Sequence, residues 1–128
     1  MLSTHLFFQF LRFGIIGLLA ALTHYALAML LIHQQMNIAV ANLLGFLTAF
    51  WVSYFGHRIF TFNVVQISHR QTLPKFIIVA VTGFVFNETM LIALHHFTPY
   101  PISILLIITI IVTALFTFFL NRIFAFKP

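Results

Sequence analysis

The sequence predicts an all-α membrane protein with four transmembrane helices, arranged as two helical hairpins that run parallel to each other. First, 62% of the 128 residues are hydrophobic and only 5% are charged, whereas a soluble domain carries about 25% charged residues. Second, four apolar segments approach the roughly 20 residues that a helix needs to cross the hydrocarbon. Third, the basic residues lie only outside these segments. A soluble fold of this length could not bury so much apolar surface, so we expect lipid to surround most of the chain.

The four predicted spans contain neither Lys nor Arg and cover roughly residues 13–33, 39–56, 76–94 and 102–120. A short uncharged connection over residues 34–38 makes the first pair a tight hairpin. Residues 95–101, with two prolines, join the last pair in the same way, and a longer polar segment over residues 57–75 separates the hairpins. Ala26-Leu27-Ala28 resembles a signal-peptide cleavage site, but the apolar run continues past it. We therefore predict one transmembrane domain over residues 1–128.

The basic residues predict the orientation of the spans. They fall in the N-terminal segment, the central segment and the C-terminal tail: Arg12, Arg58, Arg70, Lys75, Arg122 and Lys127. With four spans these three segments share one side, which the positive-inside rule assigns to the cytoplasm. The prediction is an N-in, C-in protein of the cytoplasmic (inner) membrane. The net charge of +5 therefore reflects topology, and the cations are too dispersed for a nucleic-acid partner.

The two halves of the sequence resemble each other. Arg58-Ile59-Phe60-Thr61-Phe62 closes the first hairpin and Arg122-Ile123-Phe124-Ala125-Phe126 closes the second, 64 residues later. Arg12-Phe13 opens the first and Lys75-Phe76 opens the second, 63 residues later. Each half starts on the same side, so the repeats are parallel rather than inverted. The closing arginines either anchor the helices among lipid head groups or hold a phosphate through bidentate guanidinium contacts.

These motifs resemble the GtrA-like family of small four-span membrane proteins. The matching features, in chain order, are Arg12-Phe13 with Gly17, Ala41-Asn42, the first Arg-x-Phe-x-Phe ending, Asn87, and Asn121-Arg122 with the second ending. The family's usual Asn before the first ending is replaced by His57 here, and its usual Asn residues near the cytoplasmic ends of the second and fourth spans are replaced by Ser53 and Thr117.

The resemblance implies a function in cell-surface polysaccharide synthesis or modification. It implies translocation of a polyprenyl-phosphate-linked sugar across the cytoplasmic membrane, beside a membrane glycosyltransferase that makes this lipid. A homodimer is a further partner that such a thin bundle would allow. Two alternatives stay open: a non-transporting scaffold for a glycosyltransferase, and a small multidrug-type exporter, although such exporters usually place their acidic residue in the first span.

Three polar residues lie deep inside the predicted spans and are candidate substrate-binding residues, together with Arg58, Arg122 and Asn121. Glu88, the only acidic residue, lies 13 residues past Lys75, or about 20 Å along a helix. His24 lies at a similar depth, and Asn87 adjoins Glu88. A charge at this depth costs several kcal/mol unless it is paired. We expect a His24–Glu88 pair, acting either in transport or as a hydrogen bond that holds helices together.

Small and polar residues recur at helical spacing along one face of each span, as in Gly45, Ala49 and Ser53. They either allow close helix packing or line a polar groove. We expect no enzymatic activity, because no nucleophile–base pair, phosphate loop or second carboxylate is present. We expect no cofactor and no metal site, because His95 and His96 diverge on a helix and no cysteine supports them.

Overall fold

The computed structural model describes residues 2–61 and 68–125, and almost all of these residues are helical. The four main helices are α1 (Leu2–His33), α2 (Ile38–Gly56), α3 (His69–Phe97) and α4 (Ile102–Leu120). All four are long and apolar enough to cross a membrane. The predicted all-α, four-span fold class is therefore confirmed. Phe62, Phe126 and Lys127, which belong to the closing motifs and the tail, lie outside the described residues.

Two of the helices extend well beyond the predicted spans. Helix α1 begins at Leu2 rather than near residue 13, because residues 2–11 contain no glycine, proline or charged residue that would end it. Helix α3 begins at His69 and includes Pro74 in its second turn. Because proline has no N–H, the helix lacks at this position one backbone hydrogen bond, the one to the Arg70 carbonyl.

The central segment is shorter than the sequence suggested. Residues predicted as a polar connection over 57–75 are largely helical, because a π-helical turn over His57–Thr61 prolongs α2 and α3 already starts at His69. A matching π-helical turn over Asn121–Ala125 prolongs α4. The two turns occupy corresponding places in the two halves, and each contains the arginine of a closing motif.

The connection between α1 and α2 is specified by its backbone hydrogen bonds. Gln35 has a positive φ of 68°, the left-handed conformation that commonly terminates a helix. The Met36 N–H donates to the Leu31 carbonyl at 3.0 Å, which completes a Schellman-type cap. Asn37 then caps α2, because its side-chain oxygen accepts from the Ala39 N–H at 2.8 Å. The expected tight hairpin is thereby formed without a charged residue.

The helices pack in the cyclic order α1, α2, α3, α4. Helix α1 packs on α2 and α4, and α3 packs on α2 and α4. Among the described residues, no Cα–Cα approach within 8 Å joins α1 to α3 or α2 to α4, so these pairs are diagonal. We call the end of the bundle that carries Arg12, Arg58 and Arg122 the arginine end. The opposite end carries the two hairpin connections.

Two apolar clusters fill different ends of the bundle. Tyr54, Phe76 and Val79 form one near the arginine end. The other lies toward the hairpin connections and contains Ala28, Leu91, Leu105 and Leu106. We call the second set the leucine cluster. It closes the interior at the end opposite the arginines.

The sequence repeat is visible as repeated contacts inside each hairpin. The Arg12 guanidinium lies over the Phe60 ring at 5.7 Å, and the Lys75 ammonium lies over the Phe124 ring at 5.9 Å. Arg12 corresponds to Lys75, and Phe60 corresponds to Phe124, at the offsets found in the sequence. Each hairpin therefore closes with a cation–π contact between its first and last helical segments.

The repeat also governs the contacts between the hairpins. Arg58 donates from Nη1 to Thr72 Oγ1 on α3 at 2.5 Å. Arg122 donates from Nη1 to Gln9 Oε1 on α1 at 2.7 Å. Gln9 and Thr72 are 63 residues apart, and the arginines are 64 residues apart. Each closing arginine thus reaches the corresponding position of the other hairpin, as a pseudo-two-fold arrangement of parallel repeats requires.

Candidate functional site

A continuous chain of side-chain hydrogen bonds crosses the middle of the bundle. His24 on α1 donates from Nε2 to Asn42 Oδ1 on α2 at 2.7 Å. The Asn42 amide donates to Asn87 Oδ1 on α3 at 2.9 Å and to Glu88 Oε1 at 3.2 Å. The Asn87 amide in turn donates to Thr113 Oγ1 on α4 at 3.2 Å. We call His24, Asn42, Asn87 and Thr113 the polar layer, since it takes one buried residue from each helix.

The polar layer depends on a close approach of α1 and α2 at Gly45. A Cβ added to Gly45 would lie 2.7 Å from the His24 carbonyl oxygen and 2.8 Å from its Cδ2. Only a residue without a side chain allows the two helices to come together here. The small-residue stripe predicted from the sequence therefore serves close packing at this position, and this packing brings the His24 ring against Asn42.

The expected direct pair between His24 and Glu88 is absent from the described residues, and Asn42 lies between them. Asn42 accepts from one and donates to the other because its amide offers both an acceptor and two donors. Glu88 is only half-buried and does not line the central cavity. Thus the predicted residues His24 and Asn87 meet in the polar layer, whereas Glu88 lies at its edge.

A cavity of about 110 Å³ runs from the polar layer toward the arginine end. His24, Asn87 and Thr113 line it at one extreme, and His57 and Asn121 line it near the arginine end. Its walls between these extremes are mostly small or aromatic: Gly17, Ala20, Ala21, Phe46, Ala49, Phe50, Ala80 and Ala114. No Lys, Arg, Asp or Glu is among the described residues that line it. The cavity is therefore an uncharged space with polar groups at both ends.

Asn121 is the most unusual residue of this cavity. Its side chain is only 3% exposed, and its Oδ1 is buried with no hydrogen-bond partner in the described part of the chain. Buried amide oxygens nearly always have a partner, so an unpartnered one calls for an explanation. The corresponding residue of the first half, His57, bonds through Nδ1 to Thr61 Oγ1 at 2.9 Å and stacks on Phe13.

The two closing arginines have different surroundings. Arg58 is 5% exposed and bonds to Thr72, whose hydroxyl also lies 3.0 Å from the Tyr54 hydroxyl. The Tyr54 hydroxyl in turn lies 2.7 Å from His69 Nδ1. Arg122 is half-buried, and its only hydrogen bond within the described residues is the one to Gln9. The two arginines, which the sequence suggests are either lipid anchors or phosphate ligands, thus differ in burial and in hydrogen-bond partners.

Four hydrogen-bonding residues of the polar layer and of the arginine contacts were not among the predicted site residues. Asn42 and Thr113 belong to the polar layer, and Thr72 and Gln9 accept from the arginines. Asn42 could have been found as a polar residue inside an apolar span, since such residues are commonly functional. The repeat offset relates Gln9 to Thr72, but the sequence alone does not show that the arginines reach across hairpins.

Comparison with known proteins gives one family. A family model described as the GtrA/DPMS transmembrane domain matches residues 12–126. No curated protein and no solved structure gives a significant match. The matched range includes the polar layer, the residues that line the cavity and both closing arginines, and Gln9 is the one hydrogen-bond partner described above that lies outside it.

Proposed function

Because the chain belongs to the GtrA/DPMS transmembrane family, we propose that it translocates a polyprenyl-phosphate-linked sugar across the cytoplasmic membrane. Family membership indicates involvement in polysaccharide synthesis that uses polyprenyl-phosphate sugars, and the four apolar helices make the chain a multi-pass membrane protein. Translocation by this chain, rather than another part in that process, is the proposal.

The observation that carries the proposal is the cavity that extends from the arginine end to the polar layer. A lipid-linked sugar combines an apolar tail, an anionic phosphate and a neutral hydroxyl-rich head. The tail can remain in the bilayer, while the half-buried guanidinium of Arg122 at the arginine end suits the phosphate. The uncharged cavity with polar groups at both ends suits the neutral sugar, since hydroxyls need partners wherever water is excluded.

The cavity as it stands is smaller than the substrate requires. A cavity of about 150 Å³ accommodates a benzene molecule, so a space of about 110 Å³ admits only part of a sugar. Translocation therefore requires the hairpins to separate. The side-chain hydrogen bonds between them include the two arginine bonds, the contacts of Tyr54 with Thr72 and His69, and the Asn42 bonds of the polar layer, and aromatic contacts such as Phe46–Phe84 also join them. On this proposal the chain catalyses no covalent reaction. It acts alone, as a homodimer or beside a glycosyltransferase.

The test is exchange of a lipid-linked sugar between the leaflets of liposomes that contain the purified protein. Fluorescent polyprenyl-phosphate glucose, placed in one leaflet, reports exchange as the fraction that an impermeant reagent can reach. We expect the protein to accelerate exchange and the Arg122→Gln variant to lose most of the acceleration. Arg70→Gln is the matched control, because Arg70 is an exposed arginine near the start of α3.

The outcomes separate transport from scaffolding. Acceleration by wild type that survives in Arg70→Gln and is lost in Arg122→Gln supports translocation. An unchanged exchange rate, together with co-purification of a membrane glycosyltransferase, contradicts translocation and favours the scaffold. Proton-coupled efflux of cationic dyes by the same liposomes would instead favour an exporter.

A further inference from the structure

We propose that the arginine end binds the substrate asymmetrically, with Asn121 receiving a sugar hydroxyl and Arg122 receiving the phosphate, while Arg58 holds the two hairpins together. This inference rests on the proposed function and assigns a division of labour within that site. The two halves of the sequence would lead one to expect two equivalent phosphate-binding arginines. The contacts of the described residues instead indicate that Arg122 and its surroundings bind the substrate, whereas Arg58 and its surroundings hold the hairpins together.

The polar groups around Arg58 are already bonded to one another within the protein. Arg58 is buried and donates to Thr72, and Thr72 is also bonded to the Tyr54 hydroxyl. His69 completes this cluster through its contact with Tyr54. Arg58 is only 5% exposed, so a phosphate could reach its guanidinium only if this cluster opened, and the hairpins would then lose contacts that join the first hairpin to α3.

The surroundings of Arg122 lack the polar groups that surround Arg58. Phe118 takes the place of Tyr54, Gln9 that of Thr72 and Leu6 that of His69, at the offsets of the repeat. Arg122 therefore meets one amide oxygen, and a guanidinium carries five N–H donors in a planar fork. Bidentate binding of phosphate uses two of these donors, so Arg122 can accept a phosphate and keep its bond to Gln9.

The cavity lining indicates which part of the substrate enters. It contains no Lys or Arg among the described residues, and burying an anion without a cation or several donors is unfavourable. The phosphate therefore stays at Arg122, which does not line the cavity. Asn121 lines the cavity, and its buried Oδ1 has no hydrogen-bond partner among the described residues, so its amide suits a group that both donates and accepts hydrogen bonds. Sugar hydroxyls have this property.

The placement of the two residues fits the covalent structure of the substrate. Asn121 and Arg122 are consecutive in the π-helical turn Asn121–Ala125, and consecutive Cα atoms are about 3.8 Å apart. In a polyprenyl-phosphate sugar, the phosphate is attached directly to the ring that carries the hydroxyls. Neighbouring residues can therefore hold the two groups of one molecule, one outside the cavity and one inside it.

The experiment compares equilibrium binding of two kinds of lipid, with and without a sugar, to the full chain in lipid nanodiscs. The probes are radiolabelled polyprenyl phosphate and its glucose and mannose derivatives. We measure the ratio of sugar-lipid affinity to bare-lipid affinity, using the sugar that binds wild type more tightly. Four variants are compared with wild type: Asn121→Ala, Arg122→Gln, Arg58→Gln and the control Thr48→Ala, whose exposed hydroxyl bonds only within its own helix. Thermal unfolding of each sample reports whether it is folded.

The expected results differ for each residue. Asn121→Ala lowers the affinity ratio about 3- to 10-fold, which is the range expected for one lost hydrogen bond. The affinity for bare polyprenyl phosphate stays as in wild type. Arg122→Gln weakens both lipids about 10- to 100-fold and keeps their ratio, because a charge-assisted contact is lost. Arg58→Gln lowers the unfolding temperature while the folded fraction binds both lipids as wild type does. Should Arg58→Gln fail to fold, Thr72→Val removes the same hydrogen bond by changing its acceptor.

The outcomes also separate this inference from the proposed function. Wild type that binds neither lipid overturns the proposed function. Wild type that binds the sugar lipids and the bare lipid equally, or an Asn121→Ala ratio equal to that of wild type, overturns the asymmetric assignment alone. Equal loss of affinity in Arg58→Gln and Arg122→Gln, with unfolding temperatures unchanged, also overturns it, since the two arginines would then be equivalent ligands.

Discussion

Removal of the Asn42 side chain is the sharpest test of the polar layer. The Asn42 amide takes part in three hydrogen bonds, to His24, Asn87 and Glu88. An Asn42→Ala substitution removes all three and leaves the His24 and Asn87 groups buried without their partners. Asn42 is hydrogen-bonded to both α1 and α3, which are diagonal in the bundle. The expected result is a loss of bundle stability and a loosening between the two hairpins.

The magnitude follows from the number of bonds. Interhelical hydrogen bonds in membranes contribute about 0.6–2 kcal/mol each, so three bonds predict a loss of about 2–6 kcal/mol. The lower half of this range is expected, because Asn87 keeps its bond to Thr113 and the bond to Glu88 is long at 3.2 Å. Unpaired groups left in the interior add to the loss. We therefore expect about 2–4 kcal/mol.

The assay is reversible unfolding in mixed micelles, with helix content followed by circular dichroism as a denaturing detergent is added. Thr48→Ala is the matched control, because its exposed hydroxyl bonds to Leu44 O one turn earlier on the same helix, and we expect less than about 0.5 kcal/mol there. A double-mutant cycle of His24→Ala with Asn42→Ala should give a coupling energy of about 0.6–2 kcal/mol. An Asn42→Ala variant within 0.5 kcal/mol of wild type, or a coupling energy near zero, refutes the polar layer.

Three further predictions follow from individual residues. Gly45→Ala should lower the free energy of unfolding by about 1–3 kcal/mol in the same titration, because the new methyl group meets the His24 backbone and ring, whereas Gly14→Ala should not, because nothing lies within 4 Å of its added Cβ. Gln35→Gly should raise the unfolding free energy by up to about 1 kcal/mol, because a positive φ of 68° is strained for Gln and unstrained for Gly. An unfolding free energy below that of wild type would contradict the left-handed conformation at position 35. In single-cysteine variants, an impermeant maleimide added to intact cells should label position 35 but not Arg70→Cys, and labelling of both refutes the predicted topology.

The fold was predictable because lipid simplifies the relation between sequence and structure. Backbone groups in hydrocarbon must be satisfied within each helix, so apolar length alone located the four helices. The helix ends were less predictable, since a helix continues into water where nothing ends it. Helix α1 begins at Leu2 for this reason. The sequence also indicated the repeat, whose offsets reappear in the contacts of Arg58 and Arg122.

The partners within the site were less predictable, because helix rotation and depth decide which polar groups meet. His24 and Glu88 lie at similar depths, and their opposite character predicted a direct pair. Close packing at Gly45 instead brings His24 to Asn42, and Glu88 lies at the edge of the layer. The inequality of the two arginines arises from single differences between the halves, such as Tyr54 and Phe118. Such differences acquire meaning only once the surrounding residues are known.

The order of the layers suggests where the barrier to a lipid-linked sugar lies. From the arginine end inward, the bundle presents the cavity, the polar layer and then the leucine cluster. Separating Ala28 of the first hairpin from the leucines of the second costs little transfer energy in a membrane, because lipid tails are as apolar as leucine. The sugar hydroxyls, in contrast, need partners at each depth. On the proposed function, the polar layer therefore has two roles. Its hydrogen bonds hold the hairpins together, and its polar groups replace water as hydrogen-bond partners of the sugar. Weakening it by Asn42→Ala should loosen the bundle and still slow translocation, whereas a simple steric gate would become faster.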